Sequence, residues 1–165
     1  MNSINPDDLI ISNLKTESGR EYALNILKNG NYQYMDRDYK FAYIPEDFTG
    51  CIHIRTCGND KLISENAPCL SFTVNKPVYL YVIFADKFPA IPKWLESYER
   101  LRKNITRQDS ETHTLKGYFS LYRKSFPEGK ITLNGCSPES ILKRESYVAS
   151  SATFCMYTLC IMPQG

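Results

Sequence analysis

The chain has 165 residues and a mass of 19.0 kDa, the size of one domain, and we read residues 1–165 as a single unit with a flexible start at 1–8. Hydrophobic residues make up 42% and charged residues 23%, a globular mix that sets aside wholesale disorder, a collagen repeat and a coiled coil. A formal charge of +2 is too small for a general nucleic-acid binder, so no nucleic acid is expected as a partner.

The first residues carry no basic stretch, and the apolar run at 9–11 is far shorter than a signal-peptide core, which predicts a cytoplasmic chain. No run approaches the roughly 18 apolar residues of a membrane span. Tyr22, Leu24 and Ile26 alternate with Ala23, Asn25 and Leu27 before Asn29-Gly30, the pattern of a strand ending in a turn. Tyr39, Phe41 and Tyr43 alternate up to Ile44-Pro45. Cys51, Ile52, His53 and Ile54 form a β-prone run that stops at the turn cluster Cys57-Gly58-Asn59-Asp60. Leu70, Phe72 and Val74 make the next alternation. Residues 78–85 are apolar on both faces and rich in β-branched and aromatic side chains, which predicts a central strand covered on both sides.

Beyond Pro92, Trp94, Tyr98 and Leu101 fall at i, i+4 and i+7, the spacing of one helix face, and predict a short helix within 93–103. Polar residues 104–113 read as a loop. Leu115, Gly117, Phe119 and Leu121 then alternate with Lys116, Tyr118, Ser120 and Tyr122, residues 130–133 form a short strand, 137–150 read as a loop, and 153–162 close the chain as a strand.

Charge is unevenly spread. Residues 1–65 hold seven basic and ten acidic groups, and residues 66–165 thirteen and eight. The basic excess gathers at Arg100, Arg102, Lys103 and Arg107, either a solvated face or a dock for an acidic partner.

Six cysteines without a signal read as reduced thiols, several in apolar segments where they pack as small hydrophobes. Cys51, His53, Cys57 and Cys69 include ligand types for zinc, but their spacing lacks the close Cys or His pairs of structural sites, so no metal and no cofactor is expected. His53 and His113 lie in no catalytic signature, and His113 reads as solvated. Nothing in the chain sets a nucleophile beside a base, and no enzyme activity is expected. The charges of Asp36-Arg37-Asp38, Arg55, Asp60-Lys61 and Asp86-Lys87 flank predicted strands, where ion pairs that fix loops are the plain reading.

Several phrases occur in order: Tyr34-Met-Asp36-Arg37-Asp-Tyr39, Ile54-Arg55-Thr56, Asp60-Lys61, Val78-Tyr-Leu-Tyr81-Val82, Pro92-Lys-Trp94-Leu95, Phe126-Pro127-Glu-Gly129 and Met156-Tyr157-Thr158. Together, over roughly residues 20–162, the chain resembles the non-catalytic β-sandwich modules appended to bacterial polysaccharide-degrading enzymes such as pectate-lyase-like proteins. The resemblance implies a β-sandwich without catalysis and admits sugar binding.

The expected fold is all-β: an antiparallel β-sandwich or jelly roll, galactose-binding-like or immunoglobulin-like, with the one short helix near 93–103. Two functions are open to such a chain. The first is a non-enzymatic scaffold or adaptor in a protein assembly, docking a protein partner through Arg100, Arg102, Lys103 and Arg107. The alternative is a carbohydrate-binding module with an aromatic platform at Trp94, Tyr98 and Tyr118, taking a glycan.

Overall fold

The computed structural model describes residues 8–108, 116–142 and 155–164. The expectations for residues 1–7, for 109–113 including His113, for 143–150 and for the start of the last strand at 153–154 lie outside the described residues.

Ten strands run in chain order: β1 (Ile11–Thr16), β2 (Ala23–Ile26), β3 (Lys40–Tyr43), β4 (Ile52–Arg55), β5 (Pro68–Val74), β6 (Val78–Ala85), β7 (Glu99–Gln108), β8 (Lys116–Phe126), β9 (Gly129–Asn134) and β10 (Thr158–Pro163). They form two antiparallel sheets, a small one of order β1-β5-β9 and a large one of order β2-β4-β10-β6-β8-β7-β3. The protein is an all-β sandwich, as the alternating apolar pattern predicts.

The large sheet is organised by β6, whose eight residues are buried with the single exception of half-buried Tyr79. Its two faces have different covers. Val78, Leu80 and Val82 stand opposite Phe126, Lys124 and Tyr122 of β8, on the face that meets the small sheet, where Leu70 and Phe72 of β5 pair with Leu133 and Ile131 of β9. Tyr79, Tyr81 and Ile83 point the other way, because successive side chains of a strand alternate.

That second face is covered by the sheet itself. The sheet curls until Phe41 of β3, at one edge, meets His53 of β4 near the other edge, with ring centroids 5.1 Å apart in an edge-to-face arrangement. Phe48, on the 3-10 turn Glu46–Phe48, closes the mouth of the curl against Tyr81 at 4.9 Å. The segment between β2 and β3 seals the seam: Gly30 and Phe41 N–H donate to the Phe41 and Asn31 carbonyls respectively, and Leu27 N–H donates to Cys51 O. Two bulges allow this curvature, one between Phe41 and Tyr43 of β3 and one between Arg100 and Asn104 of β7.

Three local expectations change. The helix within 93–103 is a 3-10 turn over Lys93–Ser97, after which the chain enters strand β7 at Glu99. The predicted loop from 104 belongs to β7 as far as Gln108. Tertiary pairing explains both: β7 is held between β8 and β3, and such pairing outweighs a local helical spacing. Within the predicted loop 137–150, Glu139–Leu142 form a short helix, α1. Leu24 and Ile26 of β2 lie on the face that carries Ile54 and Leu159, yet remain exposed because β2 is the edge strand.

The loop after β4 is held by Asp60, whose carboxylate is fully buried and accepts from Arg20 Nη1 at 2.6 Å, Ser18 Oγ at 2.9 Å and the Tyr22 hydroxyl at 2.5 Å. Burial, with the Cys69 thiol beside it and the hydrogen bond to the Asp60 carboxylate, pushes the Tyr22 phenol far up, so it stays a donor. Asp60→Ala leaves a buried hydroxyl and a cation without their acceptor and should cost about 2–4 kcal/mol. Asp60→Asn, which keeps an acceptor, should cost less. Urea unfolding followed by the emission of Trp94, the sole tryptophan, measures both.

His53 gives a pH test of the curled interior. It is completely buried, and neither ring nitrogen has a hydrogen-bond partner among the described residues. Burial, helped by the Arg55 charge, holds the imidazole down to about 3. A depressed imidazole pKa leaves stability complete above the unfolded value of about 6.5 and removes it as pH falls toward the folded value. The loss is about 1.4 kcal/mol per pH unit, or about 2 kcal/mol by pH 5. His53→Phe should abolish that component, so its urea midpoint should fall less than the wild type's between pH 7 and pH 5.

Candidate functional site

The curl decides which aromatic and basic side chains are available. Trp94 is not a free platform. Its indole N–H donates to Gly135 O at 2.9 Å, and its ring lies edge-to-face against Tyr98 and Tyr157, at 5.7 and 5.5 Å. Tyr98 is buried as well. The joint requires glycine at 135, since a Cβ there would stand 2.1 Å from the Ile63 carbonyl oxygen. Half-buried Trp94 thus ties the turn before β7 to the small sheet's end, as an anchoring amphipathic aromatic.

The basic set is dispersed in the same way. Arg107 is 1% exposed and lies inside the curl, which corrects its assignment to a basic surface. Its strand neighbour is Gly117, where a Cβ would stand 3.2 Å from Arg107 Nε. The guanidinium stacks over Tyr39 at 4.2 Å and Phe119 at 5.1 Å, and donates to Gln33 Oε1 at 3.3 Å. The cleft beside it measures ≈ 10 Å³, room for about one water.

Arg100 lies flat on the outer face of the sheet, donating to Ser120 Oγ at 3.0 Å and reaching Asp86 Oδ1 at 3.6 Å. Lys103 pairs with Asp47 and holds that carboxyl below its usual range through the hydrogen bond. Arg102 is exposed.

Of the seven residues singled out in the sequence, Arg102, Lys103 and Tyr118 come together. They share an open groove of ≈ 580 Å³ on the outer face of the large sheet, within the size range of ligand sites. Tyr43 of β3 is opposite Thr106 of β7, and Thr106 is opposite Tyr118 of β8, so the two tyrosines stand in one row with a threonine between them. They are 54% and 53% exposed, the most exposed aromatic side chains described. Asn104 continues the groove along β7, and Pro45, Glu46 and Asp47 form its wall beyond Tyr43. Asn104 is itself oriented by Asp86 Oδ2, at 2.9 Å, and by Ser120 Oγ.

Both bulges border this groove. The one at β3 turns Tyr43 outward after inward-facing Phe41, and the one at β7 brings Arg102 and Lys103 to the rim. Sequence reading missed Tyr43 and Thr106 as site residues. The exposed position of Tyr43 depends on the bulge, and its row with Tyr118 spans 75 residues of chain.

The thiols divide: half-buried Cys51 is held below its usual range by a hydrogen bond with Cys160, whereas Cys57, Cys69, Cys136 and Cys160 are raised by burial. The six cysteines form no disulfide, and burial pushes Cys57 and Cys69 up to about 11 and Cys136 up to about 12. No group of three or more His, Cys, Asp or Glu side chains among the described residues could hold a metal ion. No described helix is long and apolar enough to cross a membrane.

No protein-family profile and no curated protein matches the sequence. Among solved structures, 92% of the chain superposes with a TM-score of 0.68 and 18% identity on 14% of a β-glucuronidase from glycoside hydrolase family 2. In a family GH138 enzyme targeting pectin rhamnogalacturonan II, 99% of the chain superposes on 18% of that chain, with a TM-score of 0.56 and 14% identity. These likenesses establish a shared fold. The chain spans less than a fifth of the length of either enzyme.

The contrast between Arg107 and Arg102 is testable. Arg107→Ala should cost about 3–5 kcal/mol in urea unfolding, as a buried, hydrogen-bonded cation is removed and its space left empty. Arg102→Ala should stay within about 0.5 kcal/mol of the wild type. Equal effects would contradict the assignment of Arg107 to the interior.

Proposed function

We propose that the chain is a non-catalytic carbohydrate-binding module, with the glycan seated in the groove between Tyr43 and Tyr118. The observation that carries this reading is the row Tyr43–Thr106–Tyr118: two exposed tyrosines held by strand register across a polar floor. Tyrosine rings present an apolar face to the C–H side of a sugar ring and a hydroxyl at the rim, and they cost little side-chain entropy because the strands fix their bases. Asn104, Thr106, Glu46 and Asp47 add amide, hydroxyl and carboxylate groups suited to sugar hydroxyls.

The non-catalytic part of the reading rests on chemistry. His53 is sealed inside the curl and held neutral, and the most buried thiols are held protonated, which leaves these groups unsuited to attack a substrate outside. Likeness to segments of two carbohydrate-active enzymes supports the same reading at the level of fold. The scaffold reading keeps exposed Arg100, Arg102 and Lys103 and loses only Arg107, which is inside; Arg100 and Lys103 already pair with Asp86 and Asp47.

Binding to a panel of soluble polysaccharides by affinity electrophoresis, followed by calorimetry on the best ligand, tests the proposal. Tyr43→Ala and Tyr118→Ala should each weaken binding about tenfold, equivalent to about 1.4 kcal/mol, with unfolding midpoints near the wild type's. Trp94 emission should not respond to the ligand, because Trp94 packs between Tyr98 and Tyr157, outside the groove. Full binding by the double variant would refute the site.

A further inference from the structure

The groove constrains the chemistry and direction of its occupant once that occupant is taken, on the carbohydrate reading, to be a glycan. Its lining runs along β7 from Arg102 to Thr106, with the Tyr43-to-Asp47 segment on one side and Tyr118 on the other. The long axis therefore follows β7. The bulge between Arg100 and Asn104 shortens the first half, so at about 3.4 Å per regular residue this stretch measures about 10 Å, the separation of the first and third of three units spaced like strands at about 4.8 Å.

The two ends of the groove differ. At the Thr106 end, Tyr43 and Tyr118 rise from strands on either side of β7, two strand spacings or about 10 Å apart at their bases. Side chains stand roughly perpendicular to a sheet, so this end is a gap with aromatic walls, wide enough for one pyranose ring. At the other end the lining is charged, and the charges cancel: Arg102 and Lys103 are matched by Glu46 and Asp47, and Lys103 is already paired with Asp47. A polyanion would gain little net attraction here and would meet two carboxylates on the wall. Sugar hydroxyls, each a donor and an acceptor, can use cationic donors, carboxylate acceptors and the Asn104 amide together.

We infer that the groove takes a neutral, extended glycan of about three units lying along β7, one ring held between Tyr43 and Tyr118 and the following hydroxyls read by Asn104, Arg102 and the Glu46–Asp47 wall. The charged end then confers selectivity among hydroxyl patterns, and the tyrosines supply a stacking contact that tolerates different sugars.

The test uses the full chain and calorimetric titration with neutral gluco-, galacto- and xylo-oligosaccharides of two to six units, beside oligogalacturonides of matched length. At least one neutral series should bind, with affinity rising to about three units and then levelling. That affinity should change less than about twofold between about 0.01 M and about 1 M salt, across which the screening length falls from about 30 to 3 Å. Arg102→Ala should weaken trisaccharide binding several-fold and leave disaccharide binding nearly unchanged, whereas Tyr118→Ala should weaken both. Unchanged unfolding midpoints establish that the variants are folded.

Binding confined to oligogalacturonides and steeply lost with salt would overturn the inference while leaving the carbohydrate reading intact. Neutral binding indifferent to length, or to Arg102→Ala on the trisaccharide, would overturn the axial placement. Absence of binding to any glycan, or binding only to a protein, would overturn the carbohydrate reading and this inference together.

Discussion

The apolarity of β6 on both faces governs the rest of the architecture. A strand with Val78, Leu80 and Val82 on one side and Tyr81 and Ile83 on the other must be covered twice. The small sheet provides one cover, but three strands cannot span seven. The second cover comes from the large sheet bending until Phe41 touches His53. Once the sheet bends, the inner side of β3, β7 and β8 is committed to the core, where Ile105, Arg107 and Phe119 lie. Their outer side, beyond the part of β8 that meets the small sheet, has no partner layer among the described residues and carries Tyr43, Thr106 and Tyr118. The candidate site is thus a consequence of the curl: it occupies the part of the convex face that the small sheet leaves uncovered.

Polar joints maintain the arrangement. Tyr34 OH donates to Met156 O and Thr56 Oγ1 to Tyr157 O, both at 2.6 Å, which fixes the loop segments to the chain entering β10. Asp36 receives the N–H groups of Gly58 and Asn59, Asp60 gathers three donors, and Trp94 bonds Gly135. Of these residues Tyr34, Asp36, Thr56, Asp60, Trp94, Met156 and Tyr157 belong to the phrases on which the resemblance to polysaccharide-enzyme modules rests. Those phrases encode loop joints, each of which demands a particular donor or acceptor because its backbone partner is buried. Sheet faces need only apolar side chains at alternate positions, so they tolerate wide substitution. This accounts for a shared fold at 18% and 14% identity, and for the resemblance being more informative about framework than about ligand.

The legible parts of the fold were those in which one local pattern decides the outcome. The run of β6 and the alternations of β5 and β8 give their strands directly. β7 was illegible because its sequence, Glu99 to Gln108, is dominated by charged and polar side chains, while its place between β8 and β3 is set by partners far away in the chain. β1 was illegible for a related reason: it has few apolar residues, bulges between Ser12 and Lys15, and takes Asn13 to a φ of 54°. Within the site, Tyr118 stood out by its alternation and Arg102 and Lys103 by their charge. Tyr43 resembled any strand aromatic, since whether it faces in or out turns on a single bulged residue.

The charge asymmetry of the sequence also changes meaning in three dimensions. The basic excess of the second part is real along the chain, yet the sheet register and loop packing bring acidic groups to it: Asp47 from residues 46–48 to Lys103, Asp86 to Arg100, and Glu99 to Arg123. Exposed pairs of this kind contribute little to stability, about 0–1 kcal/mol each, so their main effect is to neutralise the surface around the groove. Asp86 and Glu99 already count among the acids of the second part, so Asp47 alone offsets its excess, while Arg107 is withdrawn from the surface and stacked among Tyr39, Phe119 and Tyr34 in the interior. Recognition at such a surface depends on shape and matched hydrogen-bond donors and acceptors rather than on long-range attraction. That favours a ligand whose polar groups are numerous, uncharged and regularly spaced, presented on a ring with an apolar face for Tyr43 and Tyr118 to hold.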